Sequence, residues 1–243
     1  MSIEGPNHDA TGAARLPSPE PATVAQRILY RAVRFVLLGF ARLWFRLRVE
    51  GGERVPAEGP FILSPVHRSN IDFLVVLAVS RRRMRYLAKD TLWKPVTAGL
   101  FNALGGIPVA RGSADREALR TCVAVIEQGE PLVIFPEGTR QSGPEVCAMF
   151  DGPAFVQART GAPIVPVGIG GSEAAMPRGK RMIRPRRIRI VVGEPLPALS
   201  VEGARARRSA IRDQTERLGD EIQVLFDEAQ RQAGTPNRRA VAS

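Results

Sequence analysis

Gly59-Pro60-Phe61-Ile62-Leu63-Ser64-Pro65-Val66-His67-Arg68-Ser69-Asn70-Ile71-Asp72 is an apolar run that breaks off in a polar cluster. Gly59-Pro60 punctuates its start. Phe61–Ser64 is too short for a helix and too apolar for a surface loop, so it reads as a buried strand. Beyond the polar cluster, Ile71–Val79 reads as a helix. A strand that ends at a His and leads into a helix is where open α/β sheets place their sites.

The same alternation continues outward. Strands are expected at Arg85–Ala88, Ile107–Val109, Pro131–Phe135, Ile164–Ile169 and Ile188–Val192. Helices are expected at Val96–Leu104, Asp115–Gln128, Phe155–Thr160 and Arg205–Gln232, with Gly129 and Gly161 closing two of them. This pattern predicts an α/β fold with a mostly parallel or mixed central sheet covered by helices on both faces. Prolines inside several strands place those strands at edges or in mixed pairing. Residues 1–22 are rich in Pro and Gly and read as a disordered tail, as do residues 233–243. Residues 23–48 form a segment of their own, and 49–232 the main domain.

That N-terminal segment reads as a helix. At about 100° per residue, Arg27, Arg31, Arg34, Arg42 and Arg46 share one third of the wheel. Leu29, Val33, Val36, Leu37, Phe40, Leu43, Trp44 and Leu47 lie opposite, while Leu38 and Phe45 intrude on the basic side. The Arg-free stretch Phe35–Ala41 is far short of the roughly 20 apolar residues a membrane span needs. A basic amphipathic helix with aromatic residues suits a membrane surface; packing against its own domain is the other reading.

The 243 residues carry a net charge of +11, nearly all of the positive charge being Arg. An anionic partner fits this balance: anionic lipid, a phosphorylated substrate or nucleic acid. Arg178–Arg189 contains no acidic residue and could face such a partner or be a solvated surface. There is no helix-turn-helix or aromatic RNA-binding pattern, so no nucleic acid is expected. The two cysteines, Cys122 and Cys147, have no metal-ligand spacing, and with two histidines no metal site is expected. No apolar leader segment precedes the helix, which predicts a peripheral protein on the cytoplasmic face of the cell membrane.

His67 is the one histidine outside the tail, and Asp72 is five residues on. On a regular helix that spacing gives no shared face, so the two meet only if the chain turns between them. In that case Asp72 accepts the Nδ1 hydrogen of His67 and leaves Nε2 as a base. Ser69 is a suitable N-cap for the helix that follows. Neither Ser64 nor Ser69 sits in a Gly-x-Ser-x-Gly elbow, so the base acts on a hydroxyl of the substrate by direct transfer. Glu137-Gly138-Thr139-Arg140 follows an apolar strand, and Arg140 offers a planar fork for phosphate. Glu137 would hold a hydroxyl or orient Arg140. Arg111, flanked by Gly105-Gly106 and Gly112, follows another strand.

In this order the segments resemble the glycerolipid acyltransferase family, typified by 1-acylglycerol-3-phosphate (lysophosphatidic acid) acyltransferases. His67–Asp72 is similar to its His-x4-Asp motif, Arg111 to the basic residue of its second motif, and Glu137-Gly138-Thr139-Arg140 to its third. Val165-Pro166-Val167 resembles the fourth. Val66 stands where many members have Asn. The resemblance covers roughly residues 49–195 and makes 49–232 an acyltransferase domain. It implies transfer of a fatty acyl group from coenzyme A or acyl carrier protein to the free hydroxyl of 1-acylglycerol-3-phosphate, giving phosphatidic acid for phospholipid biosynthesis. His67 and Asp72 would be catalytic, with Arg111, Glu137, Gly138, Thr139 and Arg140 binding substrate and no bound cofactor. The partners implied are a lysophospholipid acceptor, an acyl thioester donor and an anionic lipid surface. Another acceptor (glycerol-3-phosphate, a lysophospholipid or a glycolipid) and a non-catalytic lipid- or nucleic-acid-binding protein are the alternative readings.

Overall fold

A computed structural model describes residues 23–89, 91, 94, 97–109, 115–180, 182–199 and 204–238. Seven strands form one sheet: β1 (Arg48–Glu50), β2 (Ile62–Pro65), β3 (Arg85–Lys89), β4 (Gly106–Val109), β5 (Leu132–Val133), β6 (Ile164–Gly170) and β7 (Arg189–Val192). Their order is β1-β7-β6-β2-β5-β3-β4, and every pairing is parallel except β6 with β7. The sheet is therefore mixed, as its prolines suggested. Pro166 lies in central β6, not at an edge.

The decisive strand is β2. It lies between β6 and β5. From its C-terminal end the chain runs to one side to build β3, β4 and β5, and later returns to the other for β6 and β7, the latter pairing with β1, which precedes β2 in the chain. The C-terminal end of β2 is thus a topological switch point, where loops from neighbouring strands diverge and leave a crevice. All seven positions of β6 are buried, and side chains alternate along a strand, so both faces of the sheet are covered.

The helices are α1 (Val24–Trp44), α2 (Asp72–Val75), α3 (Ala98–Leu104), α4 (Asp115–Glu127), α5 (Gly152–Thr160), α6 (Ser172–Ala175) and α7 (Ala204–Ala233). α2 continues as a 3-10 turn over Val76–Ala78. α7 lies directly on β6, which Gly168 and Gly170 permit. A Cβ at Gly168 would sit 2.2 Å from the Leu225 carbonyl, and one at Gly170 2.2 Å from that of Ala229. Residues 234–238, placed in the tail by composition, follow α7 in order. Thr235 Oγ1 donates to Gln230 Oε1 and Asn237 Nδ2 to Asp227 Oδ1, each at 2.7 Å. Residues 1–22 and 239–243 lie outside the described residues.

α1 starts with a capping box. Thr23 Oγ1 accepts from the Gln26 N–H, and Gln26 Oε1 accepts from the Thr23 N–H. It ends earlier than the helix expected over 23–48. Arg46 takes a left-handed backbone (φ 47°), and Arg48 joins β1 beside β7. The division of its faces also differs. Tyr30, Leu38, Ala41 and Phe45 are buried and join the core of the main domain, so α1 is no separate appendage. Leu38 and Phe45, intruders on the wheel, are the docking residues. Arg34 from the basic side joins them, donating to the carbonyls of Leu77 and Ser80. Much of the apolar side instead faces outward, with Phe35 80% and Leu43 86% exposed. No helix among the described residues is long and apolar enough to cross a membrane.

Candidate active site

The loop after β2 wraps around one carboxylate. Asp72 is fully buried at the start of α2. Its Oδ2 accepts from the backbone N–H groups of Arg68 and Ser69, each at 2.6 Å, and from Nδ1 of His67 at 3.0 Å. This is the turn that the five-residue spacing required. The residues between are bonded to the acid, so His67 is drawn back over it. Ser69 does not cap α2. Its hydroxyl is buried and donates to the carbonyl of Met176 at 2.7 Å, and Ile71 occupies the N-cap position.

With Nδ1–H given to Asp72, the imidazole presents Nε2 as its free lone pair. Among the described residues no protein group bonds Nε2. The His67 side chain is 19% exposed, and its ring packs on that of Phe135 with centroids 4.2 Å apart. Among the described residues no serine or cysteine meets Nε2, so its lone pair is open to the proton of a molecule that enters the site.

The loop after β5 lies alongside, because β5 is the parallel neighbour of β2. The N–H of Gln141 donates to the carbonyl of His67 at 2.9 Å, so Arg140 is one residue from a direct tie to the base. The Arg140 side chain is half-buried and has no acidic partner among the described residues. Gly138 and Thr139 are exposed beside it. Gly138 has φ 66°, and a Cβ there would meet the Phe150 ring at 2.7 Å, so glycine is needed for both conformation and space. These three residues are free to meet a ligand.

Glu137 is not. It is 1% exposed and does not touch Arg140. Its carboxylate accepts from Arg68 Nη1 at 2.7 and 2.9 Å, from the His67 N–H at 2.9 Å and from the Cys147 N–H at 3.1 Å. The sequence reading gave Glu137 to the substrate; the structure gives it to the loop that carries His67. Arg68, which that reading passed over, is the partner. Fully buried, it donates through Nη2 to the Glu145 carbonyl at 2.7 Å and lies 4.9 Å from the centre of the Phe226 ring of α7. Apart from the adjacent His67 carbonyl, its side-chain partners are 69 and more residues away, so no local pattern marks it. Arg111 lies outside the described residues, two positions past the end of β4. Among the described residues no cluster of His, Cys, Asp and Glu could hold a metal ion.

The chain resembles known proteins in sequence and in fold. The chain is 26% identical over 152 residues to a 1-acyl-sn-glycerol-3-phosphate acyltransferase of Bacillus subtilis, covering 62% of this chain and 73% of that protein. It is 23% identical over 169 residues to a chloroplastic enzyme of the same name from Arabidopsis thaliana, covering 64% and 47%. An uncharacterized Mycobacterium tuberculosis protein is 30% identical over 161 residues, covering 60% of this chain and 43% of that protein. The chain thus spans about half the length of several curated relatives it matches. The crystal structure of the 1-acyl-sn-glycerophosphate acyltransferase PlsC from Thermotoga maritima shares the fold, with a TM-score of 0.66 at 23% identity over 82% of this chain and 81% of that one. A family model described as Acyltransferase matches residues 46–170, just over half of the chain, a span that includes His67, Asp72, Arg111 and residues 137–140. The chain belongs to the acyltransferase family.

Proposed function

We propose that this protein moves a fatty acyl group from a thioester, on coenzyme A or acyl carrier protein, to the free hydroxyl of 1-acylglycerol-3-phosphate, forming phosphatidic acid. The observation that carries this reading is the His67–Asp72 pair held at 3.0 Å with Nε2 turned to no protein group. The names of the relatives support the choice of acceptor.

His67 Nε2 takes the proton of the acceptor hydroxyl as its oxygen adds to the thioester carbonyl. The tetrahedral adduct expels the thiolate, breaking the C–S bond and leaving the ester. The imidazolium, held against Asp72, returns the proton to the departing sulfur. Base catalysis of this kind is worth about 10²–10⁴ in rate. Arg140 binds the phosphate through its fork, with Gly138 and Thr139 lining the same strand end and Arg111 as a second cation. Glu137 acts through Arg68 and the backbone N–H groups of His67 and Cys147. No bound cofactor enters the reaction.

The acceptor lies in a bilayer, and α1 suits one. Of thirteen exposed large hydrophobics among the described residues, eight are on α1, including Phe35, Val36, Leu43 and Trp44. Such clustering marks an interaction surface. With arginines on its flank, α1 would rest in the interface with its apolar side toward acyl chains. The two free thiols suit the cytoplasmic side.

The test is thiol release from acyl-CoA and from acyl-carrier-protein donors on liposomes, with lysophosphatidic acid, glycerol-3-phosphate, other lysophospholipids and a glycolipid as acceptors. Lysophosphatidic acid should be preferred, and His67→Ala should abolish transfer. Full activity of His67→Ala would remove the catalytic assignment, and preference for another acceptor would remove the substrate.

A further inference from the structure

We propose that α1 carries a discrete binding groove for one anionic phospholipid, distinct from its general apolar contact with the bilayer. The inference rests on the membrane reading above and goes further by naming the lipid class and the residues.

A groove of about 210 Å³ runs along the flank of α1. Its apolar lining is Tyr30, Phe35 and Leu38 beside Gly39, and Arg34, whose guanidinium is taken by the carbonyls of Leu77 and Ser80, lines it too. Arg31 and Arg42 of α1 stand on its rim with Arg81, which follows the α2 region. All three are exposed, none forms an ion pair or side-chain hydrogen bond among the described residues, and no acidic residue lines the groove. Three unpaired guanidinium groups beside apolar lining match a phosphate joined to an acyl chain: the forks take the oxygens and the apolar side chains take the first methylenes.

Gly39 is the second observation. It sits inside an α-helix, where glycine is less favourable than alanine. No packing requires it, for a Cβ there would meet nothing within 4 Å. What its missing side chain leaves is open space over the groove. Position on the helix agrees. At about 100° per residue, Arg31, Phe35, Leu38, Gly39 and Arg42 span an arc between the docked face (Tyr30, Ala41, Phe45) and the outward face (Leu29, Val36, Leu43). A helix lying in the interface keeps that flank at headgroup depth.

The experiment is flotation of the full chain with phosphatidylcholine vesicles, with and without phosphatidylglycerol. Wild type should bind both and prefer the anionic vesicles. Arg31→Gln/Arg42→Gln/Arg81→Gln should lose roughly a hundredfold in affinity for anionic vesicles while keeping its binding to neutral ones. Gly39→Phe is the decisive variant, because it keeps every charge and fills the trough; preference for anionic lipid should fall about tenfold. Circular dichroism confirms that each variant is folded. A Gly39→Phe protein with undiminished preference would overturn the groove, since diffuse charge would then suffice. An equal loss in Arg184→Gln/Arg186→Gln/Arg187→Gln would overturn it on the same ground. Equal binding of wild type to both vesicles would refute the groove alone. Absence of binding to either would refute the membrane reading and the groove with it.

Discussion

Glu137→Gln separates a buried clamp from a substrate contact. In the wild type the carboxylate meets four donor contacts: two from Arg68 Nη1, one from the His67 N–H and one from the Cys147 N–H. Glutamine keeps one oxygen and replaces the other with a donor, which must then face a donor. Arg68 would keep its charge at full burial with no carboxylate beside it. Breaking a buried ion pair from one side costs about 3–5 kcal/mol. That is a large part of the roughly 5–15 kcal/mol that holds a domain together. With a urea slope of about 3 kcal/mol/M, the unfolding midpoint should fall by about 1 M or more.

The kinetic expectation follows from the same contacts. The His67 N–H loses its acceptor, so the base is less well placed, and kcat per folded molecule should drop by about tenfold to a hundredfold. Acceptor KM should not change, because the side chain of Glu137 reaches no solvent. The double variant Arg68→Met/Glu137→Leu sharpens the test. Removing both charges should recover stability relative to either single variant, since apolar pairs often replace buried ion pairs without loss. Activity should stay low, because the two backbone donors remain without an acceptor. An unfolding midpoint within about 0.2 M of wild type, together with a raised acceptor KM in Glu137→Gln, would refute the clamp and return Glu137 to the substrate.

Asp72→Asn should lower kcat by about 10²–10⁴ with little effect on acceptor KM, because an amide no longer enforces the Nδ1–H tautomer. Arg140→Ala should act the opposite way, raising acceptor KM; an unchanged KM in steady-state kinetics would remove it from the phosphate site. Burial holds the Cys122 thiol up to about 12, so it should stay protonated and unreactive to a thiol reagent at pH 8. Cys147, half-exposed, should react alone until urea unfolds the chain; two equal fast phases would contradict this burial. Gly168→Ala should destabilise by about 3 kcal/mol, because its Cβ meets α7 backbone, whereas Gly99→Ala on open α3 surface should raise the thermal midpoint.

The parts of this molecule that its sequence reveals are those with short-range causes. Gly59-Pro60 before an apolar run located β2, and Gly129 and Gly161 marked the ends of α4 and α5. His67 and Asp72 were legible because residue types are scarce there and the spacing admits only one geometry. β1 was missed: its three residues have no apolar run, and they form a strand only because β7 offers an edge. The α1 wheel was read as two faces, but the helix has three environments. Which arc docks is decided by the complementary surface of α2, α3 and the turn after α2, and that information lies elsewhere in the chain.

α7 supports the site from outside the substrate's reach. Gln223 of α7 accepts from the Val146 N–H and donates to the Pro144 carbonyl, fixing the segment that carries Glu145 and Cys147. That segment in turn offers the Glu145 carbonyl to Arg68 and the Cys147 N–H to Glu137. Phe226, one turn on, covers the Arg68 guanidinium. The loop that carries His67 is therefore braced from behind by the last helix of the fold, through a charge pair that no solvent reaches. Gly168 and Gly170 let α7 approach β6 closely enough to do this. A larger residue on that strand would lift the helix away. The position of His67 thus depends on two glycines about a hundred residues downstream, a dependence carried by packing and not by any motif.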